Sequence, residues 1–260
     1  MTPTQDYLKK CAHIADVVSK QEALIVKAAQ WFSKTILAGR MVHMFASGHS
    51  RILIEEMWPR YGSFPGFNPI VELSLTFHNP VVGANGQRQA MFLENVPGFA
   101  GRILRNFDVS PHDCAVVVSS SGCNIVPIEM AELFQQRKIK VVAIITKEHL
   151  EKSKSKRSDG KKLSDFADLV LDTGAPAGDA MVHIKGLETP VSPGSSVGGI
   201  LIVNSIKAEV AKLLTEAGQP PKVLTAAVVA GEQRAAELFE SAYDEHAHRL
   251  AKLYENIGEK

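Results

Sequence analysis

The sequence predicts an α/β fold in which helices cover both faces of a parallel sheet. Short apolar runs of strand length alternate along the chain with longer segments that have helical spacing. Two strand–helix junctions share one build: an apolar strand, a loop of small hydroxylic residues, then a helix. The first runs from Val42 to Ser50 and the second from Cys114 to Asn124. Strands that are separated by helices favour parallel pairing.

The segment before the first junction predicts helices. Residues 6–37 contain no Gly or Pro and carry apolar side chains at helical spacing, which indicates one or two helices. Met41–Ala46 then has the continuous apolar run of a buried parallel strand. Ser50–Tyr61 is predicted as the helix that follows, and Pro59 ends or kinks it.

Residues 62–101 form an insertion rich in Pro and Gly. It contains one short strand candidate, Pro69–Leu75. A stretch this long without strong elements is typically functional, or an interface, in a compact domain.

The second half of the chain repeats the alternation. The predicted strands are Asp113–Val118, Lys140–Thr146 and Leu169–Asp172, and the predicted helices are Phe99–Phe107, Pro127–Gln136, Val197–Ala217 with a serine N-cap, and Glu232–Ile257. Lys147–Lys162 is rich in Lys and Arg. We expect a solvated, mobile loop there rather than a dedicated anion clamp.

Composition excludes some classes of function. A formal net charge of +1 gives no reason to expect nucleic acid or an anionic membrane as partner, and no apolar stretch approaches the ~20 residues that span a bilayer. The beginning of the chain lacks the pattern of a signal peptide. Cys11, Cys114 and Cys123 lack metal-ligand spacing, so a reducing cytoplasm is expected. Cys123 is interpreted as a small loop residue rather than a nucleophile.

The two hydroxyl-rich loops predict an anion site. Such a loop places backbone N–H groups and hydroxyls at the positive end of a helix, where phosphate is stabilised. Serine and glycine suit this position because larger side chains block the approach of an anion to the backbone. Two such loops in one α/β domain make a phosphorylated small molecule the leading ligand.

The pattern from about Val42 to Leu214 resembles the SIS (sugar isomerase) domain family. Ser119–Asn124 is similar to that family's Ser-x-Ser-Gly-x-Ser/Thr phosphate loop, with Asn124 in place of the last hydroxyl, and Ala46–Ser50 is similar to its Gly-x-Gly-x-Ser turn. The resemblance implies a doubly wound, flavodoxin-like, five-stranded parallel sheet that binds phosphosugars. The residues it implies for phosphate and substrate binding are Ser47, Gly48, Ser50, Ser119, Ser120, Ser121, Asn124, Ser195 and Ser196.

The resemblance also implies a catalytic carboxylate. Ile54–Tyr61 is similar to the Ala-Glu-Glu-Leu-x-x-Arg segment of phosphoheptose isomerases, whose second glutamate is the acid–base, and that glutamate corresponds to Glu56. One carboxylate over an enediol can remove and return the proton. Without the resemblance, Glu55 and Glu56 point about 100° apart on a helix, and an exposed pair is an equal alternative.

A second catalytic group is not fixed by the pattern. The isomerases use a histidine on the helix that matches Val197–Ala217, and this helix has none. His49, His78 and His183 are possible substitutes. His49 is favoured because it lies in an anion loop, where an imidazolium adds charge to a phosphate site.

Asp179 and the histidine pair His246 and His248 are further candidates for a site. Asp179 follows the fourth strand, where carboxyl-end loops converge on a ligand, so it either bonds sugar hydroxyls or supports a turn. His246 and His248 face different directions on a helix and make a poor metal pair. The sequence predicts neither a metal nor a cofactor.

The expected function is aldose–ketose isomerisation of a phosphosugar. The alternatives are a lyase resembling the etherase for N-acetylmuramic acid 6-phosphate and a non-catalytic phosphosugar sensor. The long terminal helices predict a homodimer or homotetramer. The expected organisation is an N-terminal helical segment (1–40), a phosphosugar-binding domain (41–217) with the insertion 62–101, and a C-terminal helical extension (218–260).

Overall fold

The computed structural model describes residues 1–76, 84 and 86–257. Its N-terminal part forms two helices, α1 (Pro3–Ser19) and α2 (Glu22–Leu37). Gln21 lies at the break between them, and its side chain donates to the carbonyl of Asp172 at 2.7 Å and accepts from the N–H of the same residue at 2.8 Å. This pair of bonds fixes the helix junction to the sheet.

Five parallel strands form the sheet. They are β1 (Val42–Ala46), β2 (Phe67–Ile70), β3 (Cys114–Val118), β4 (Lys140–Ile145) and β5 (Leu169–Asp172). Their order across the sheet is β2-β1-β3-β4-β5, and every neighbouring pair is parallel. The predicted doubly wound, flavodoxin-like sheet is confirmed.

The second strand lies earlier than predicted. Pro69–Leu75 was expected, but the strand ends at Ile70 and a short helix, α4 (Leu73–Thr76), follows. The side chain of Glu72 accepts from the N–H of Ser74 at 3.1 Å, and this local bond favours a helical turn over further extension.

The remaining elements are mostly helices. They are α3 (Ile52–Met57), α5 (Gln87–Leu93), α6 (Phe99–Leu104), α7 (Ile125–Gln136), α8 (Lys147–Lys152), the hairpin strands β6 (Ala180–Val182) and β7 (Val191–Pro193), α9 (Ser195–Glu216), α10 (Ala227–Ala230) and α11 (Glu232–Ala251). In the part of the chain that the structure describes, no helix has the length and apolarity needed to cross a bilayer.

The core has two layers, one on each face of the sheet. On one face α2, α3 and α9 pack against alternate strand residues such as Met44 and Val116. On the other face α6 and α7 pack against the intervening residues, such as Phe45 and Val117. Because successive strand side chains point to opposite faces, the continuous apolar runs of the sequence serve both layers.

A small satellite core supports the hairpin of β6 and β7. Ile14 of α1 packs with Met181 and Val182, and the hydroxyl of Tyr7 donates to the carbonyl of Pro193 at 3.0 Å. The hairpin was not predicted from the sequence. It joins the end of β5 to the start of α9 and thereby sets the position of Asp179.

The amino-terminal ends of the strands enclose a buried polar network. Asp113 accepts a bidentate pair of bonds from Arg40 at 2.7 and 2.9 Å and faces His43 Nε2 at 3.0 Å. Asn68 lies 3.0 Å from the other ring nitrogen of His43. Although burial raises the pKa of Asp113, the bonds from His43 and Arg40 outweigh it and hold the pKa below its ordinary value.

Candidate functional site

Both hydroxyl-rich turns lie at the carboxyl edge of the sheet. Ser47 follows β1 and Ser119 follows β3, and these strands are neighbours although they are distant in sequence. The chain runs to opposite sides of the sheet from this pair, so a crevice opens between the two turns. The first turn is a single 3-10 turn, Gly48–Arg51, that leads into α3. The predicted continuous helix Ser50–Tyr61 is therefore shorter and ends before Pro59.

A crevice of about 230 Å³ brings the predicted site together. That volume equals roughly eight water molecules at about 30 Å³ each, which suits a small ligand. Every predicted binding residue lines it, together with His49: Ser47, Gly48, Ser50, Ser119, Ser120, Ser121, Asn124, Asp179, Ser195 and Ser196. The lining residues that the sequence reasoning missed include Gln87, Glu94, His149 and Thr173.

The second turn is shaped by its own hydroxyls. The N–H of Gly122 donates to Ser119 Oγ at 3.2 Å, and the N–H of Cys123 donates to Ser121 Oγ at 3.3 Å. Gly122 has a φ of +61°, and a Cβ there would lie 2.6 Å from Leu150 Cδ1. Only glycine fits both the conformation and the space.

The basic segment is anchored to this turn. The N–H of Lys156 donates to the carbonyl of Cys123 at 2.9 Å, and the N–H of Leu163 donates to the carbonyl of Gly122 at 2.8 Å. Arg157 also forms an ion pair with Glu132 of α7 at 2.6 Å. The segment is not one continuous loop, because Lys147–Lys152 forms α8 and the backbone beyond it is bonded to the second turn on both sides of Arg157. Most of its residues are exposed, as expected for a solvated segment.

Asp179 holds the start of α9. Its Oδ1 accepts from the N–H groups of Gly194 at 3.0 Å and Ser195 at 2.6 Å, and its Oδ2 accepts from Ser195 Oγ at 2.8 Å. The predicted serine N-cap and the predicted start at Val197 are corrected: the helix begins at Ser195, and an aspartate from the hairpin satisfies its first N–H groups. Of the two roles weighed for Asp179, the support of local structure is the one that these bonds show.

Glu94 joins the two turns. It lies just beyond α5, where its Oε2 accepts from Ser47 Oγ at 2.6 Å and its Oε1 accepts from Asn124 Nδ2 at 2.8 Å. Burial raises the pKa of Glu94, and the bonds from Ser47 and Asn124 and the charge of Lys156 reduce this rise without cancelling it. A buried carboxyl group with a raised pKa that lines a crevice is a candidate for proton transfer.

Glu56 lies outside the crevice formed by the described residues. Its Oε1 accepts from Asn204 Nδ2 at 2.9 Å, and its Oε2 is paired with Arg60. Burial raises the pKa of Glu56, but the lowering by these two bonds is larger, so the net pKa is below the ordinary value. It lines a separate, more open depression with Tyr61 and Tyr243. Within a single chain Glu56 therefore does not reach the two turns, because its side chain lies on the side of α3 that faces the other depression.

The histidine candidates separate clearly. His49 lines the crevice, whereas His183 is exposed beyond β6 and does not. His78 lies outside the described residues. His149 of α8, which the sequence reasoning did not single out, lines the crevice. Among the residues that the structure covers, no three His, Cys, Asp or Glu side chains are grouped as metal ligands.

Cys123 is not placed as a nucleophile. It is buried behind the second turn, and burial raises the pKa of its thiol. A thiol with a raised pKa holds little thiolate at neutral pH. The interpretation as a small loop residue is the one that the environment supports.

The electrostatics of the crevice combine acids with polar donors. Within the described ranges, its lining contains the carboxylates of Glu94 and Asp179 and no lysine or arginine. Positive potential comes from the starts of α7 and α9. Lys156 adds a charge that lowers the pKa of Glu94, so it acts at short range on the crevice.

Comparison with known proteins assigns the family. A sequence model of the SIS domain matches residues 6–146. A UPF0309 protein of Halalkalibacterium halodurans is 32% identical over 227 residues, which cover 87% of this chain and 91% of that protein. A UPF0309 protein of Thermoanaerobacter pseudethanolicus is 34% identical over 193 residues, which cover 74% of this chain and 76% of the relative.

Solved structures overlap with the chain at lower identity. A phosphoheptose isomerase from Neisseria gonorrhoeae is 12% identical, with a TM-score of 0.48 over 80% of this chain and 96% of the other. The assignment rests on the sequence comparisons and on the observed sheet order. The chain belongs to the SIS-domain family and, within it, to the UPF0309 proteins.

Proposed function

We propose that the crevice binds a phosphorylated monosaccharide and that the protein interconverts its aldose and ketose forms by proton transfer through an enediolate. The observation that carries this proposal is the convergence of two hydroxyl-rich turns, from β1 and β3, on one crevice of about 230 Å³. This crevice is large enough to hold the phosphate and part of a small sugar.

The phosphate takes its bonds from both turns. Ser47, Ser50, Ser119, Ser121 and Asn124 present hydroxyl and amide donors, and Ser196 lies at the start of α9 beside them. Helix starts stabilise an anion in the absence of a lining cation. Holding the phosphate fixes the sugar so that its α-proton meets the catalytic base, a contribution of positioning.

We assign the proton transfer to Glu94 rather than to Glu56. Glu94 bonds both turns directly and its pKa is raised, whereas Glu56 is held by Asn204 and Arg60 in another depression. A base must lie within hydrogen-bond reach of the proton that it removes. Glu94 lines the crevice between the two turns, whereas Glu56 lines a different depression, and this difference supports the assignment.

The experiment compares Glu94→Gln with the matched variant Glu56→Gln. A thermal-shift panel of hexose, heptose and amino-sugar phosphates first identifies a ligand, since binding to the native state raises Tm. Exchange of the C1 or C2 proton with D2O then reports enediolate formation. We expect Glu94→Gln to bind and to lose exchange by at least 10²-fold, while Glu56→Gln retains exchange.

The outcomes separate the rival functions. Exchange that is lost in Glu56→Gln but kept in Glu94→Gln would overturn the assignment of the base and support the residue that the family resemblance implies. Loss of a substituent from the sugar would identify the lyase. Tight binding with no exchange in the wild type would identify the phosphosugar sensor.

We also propose that the protein is a cytoplasmic homodimer or homotetramer. Val228 and Val229 of α10 are 93% and 79% exposed, and Phe92 of α5 is 72% exposed, which leaves apolar surface for a second copy. The three cysteines are unpaired, as in a reducing compartment. Sedimentation at several protein concentrations measures the oligomeric state. The domain boundaries at residues 40 and 217 stay a prediction.

A further inference from the structure

His149 brings an unsatisfied nitrogen to the crevice. Its ring lines the crevice, yet its Nδ1 is buried and has no hydrogen-bond partner among the described residues. A buried polar atom without a partner is unfavourable, and native structures keep few of them. The position of this ring therefore calls for an explanation beyond packing.

The helix that carries His149 is fixed to the site on two sides. Thr146, just before α8, shares a 3.1 Å hydroxyl bond with Ser120 of the second turn and a 2.7 Å bond with Thr173. On the other side the carboxylate of Glu148 accepts from the N–H of Ala177 at 3.2 Å. The imidazole is thus preorganised relative to the turn rather than carried on a free loop.

The environment selects one tautomer of the ring. A proton on the buried Nδ1 would be a donor without an acceptor, and burying such a donor is unfavourable. The neutral ring therefore carries its proton on Nε2. Since Nδ1 is enclosed, Nε2 is the ring nitrogen that remains to act as a donor where His149 lines the crevice.

We infer that His149, through its Nε2–H, is the hydrogen-bond donor that stabilises the enediolate oxygen of the substrate. This inference rests on the proposed isomerisation. When Glu94 takes the proton from carbon, negative charge develops on the carbonyl oxygen, and a preorganised N–H directed at that oxygen lowers the barrier. A neutral imidazole can supply this donor in an isomerase. The proton itself moves between carbon atoms through Glu94.

The test compares His149→Leu, which removes the donor, with His149→Gln, which retains an N–H of similar reach. His13→Gln, at an exposed position on α1, is the matched control. Binding and C1/C2 proton exchange are measured with D-fructose 6-phosphate and D-sedoheptulose 7-phosphate. We expect exchange by His149→Leu to fall by about 10²–10³-fold with binding changed little, partial recovery in His149→Gln, and no change in the control.

Two readouts exclude a purely structural role. In His149→Leu kcat should fall while KM changes little, because the donor acts on the enediolate and not on the bound phosphate. In ¹⁵N-histidine spectra of the wild type, the resonances that His149→Gln removes should show the Nε2–H tautomer.

Several results would overturn the inference. These are unchanged exchange in His149→Leu, a raised KM with an unchanged kcat, loss of binding, or an Nδ1–H tautomer in the spectrum. Failure of the wild type itself to bind or exchange either sugar overturns the proposed function and this inference together. This outcome differs from a failure of the His149 inference alone, in which the wild type binds and exchanges the sugar and only the variants behave otherwise than expected.

Discussion

Substitution of Gly198 by alanine tests how the packing of α9 positions the crevice. A Cβ at Gly198 would lie 1.8 Å from the carbonyl oxygen of Thr173 and 2.7 Å from its carbonyl carbon. Ordinary contact requires at least 3.4 Å. The first turn of α9 or the end of β5 must therefore move by more than 1 Å, a distance on the order of what misplaces a bound substrate.

The expected loss of stability follows from what the new methyl group meets. Overpacking costs typically 1–3 kcal/mol, and a backbone carbonyl cannot rotate away, so the upper part of that range applies. Replacing glycine within a helix returns about 1 kcal/mol. The net loss of about 2 kcal/mol corresponds to a Tm lower by roughly 4–8 °C for a chain of this size.

Gly199→Ala is the matched control for this prediction. Its Cβ would lie 2.4 Å from Leu53 Cδ2 and 2.9 Å from Leu53 Cγ, which belong to a side chain and not to the backbone, and the gain in helix propensity is the same. Thermal unfolding should show a clearly smaller loss in this variant. Phosphosugar affinity should fall in Gly198→Ala because Ser195 and Ser196 move with the helix. Equal Tm and equal affinity for Gly198→Ala and the wild type would refute the reasoning.

Three further predictions concern titratable groups. Asp113→Asn removes the carboxylate that pairs with the guanidinium of Arg40, and urea unfolding at pH 7 should show a loss of about 3–5 kcal/mol in the free energy of unfolding. Because the folded pKa of Asp113 is lowered, the stabilisation by Asp113 is present above about pH 4 and is lost as pH falls through the folded pKa. Burial raises the pKa of Glu94, so the rate of C1/C2 proton exchange in the wild type should rise with pH through a limb that lies above the ordinary range of a glutamate, and the residual exchange of Glu94→Gln should lack this limb. Burial lowers the pKa of Lys207, so the unfolded state binds more protons between the folded and unfolded pKa values, and wild-type stability should rise with pH in that window but not in Lys207→Met.

Each of these three predictions can be contradicted by a specific result. Asp113→Asn with a loss below 1 kcal/mol would show that the buried network is not a major stabilising feature. The same acid limb in Glu94→Gln would assign it to another group. An unchanged alkaline profile in Lys207→Met would contradict the placement of its ammonium against the carbonyl of Glu56.

The elements that local pattern determines were predictable. The strand preceding Ser47 and the one preceding Ser119 are continuous apolar runs, and each must be buried on both faces. The convergence of their turns follows from the parallel order of the sheet. For this reason the sequence identified the lining that Ser, Gly and Asn provide.

The missed residues depend on contacts distant in sequence. Glu94 lies in an irregular insertion, and its role arises only when Ser47 and Asn124 meet it in space. His149 lies in a charged segment whose composition is typical of a solvated loop. Thr173 and the segment after Thr146 follow the carboxyl ends of strands, where a ligand binds in an open α/β sheet. This position was the one sequence feature that could have predicted that they line the crevice.

The displacement of Glu56 has a different cause. Its helix position was identified correctly on α3, but the direction of its side chain depends on Asn204 and Arg60. Local sequence gives the spacing of Glu55 and Glu56 and leaves open which of them faces a crevice.

The most direct measurement is a crystal structure with the phosphosugar that gives the largest thermal shift. The account predicts a phosphorus atom between the two turns, with its oxygens accepting bonds from Ser47, Ser121 and Asn124, and the reacting carbons beside Glu94. Density for the sugar phosphate in the depression at Glu56, or a crevice that stays closed by the bonds of Glu94 while ligand binds elsewhere, would contradict it.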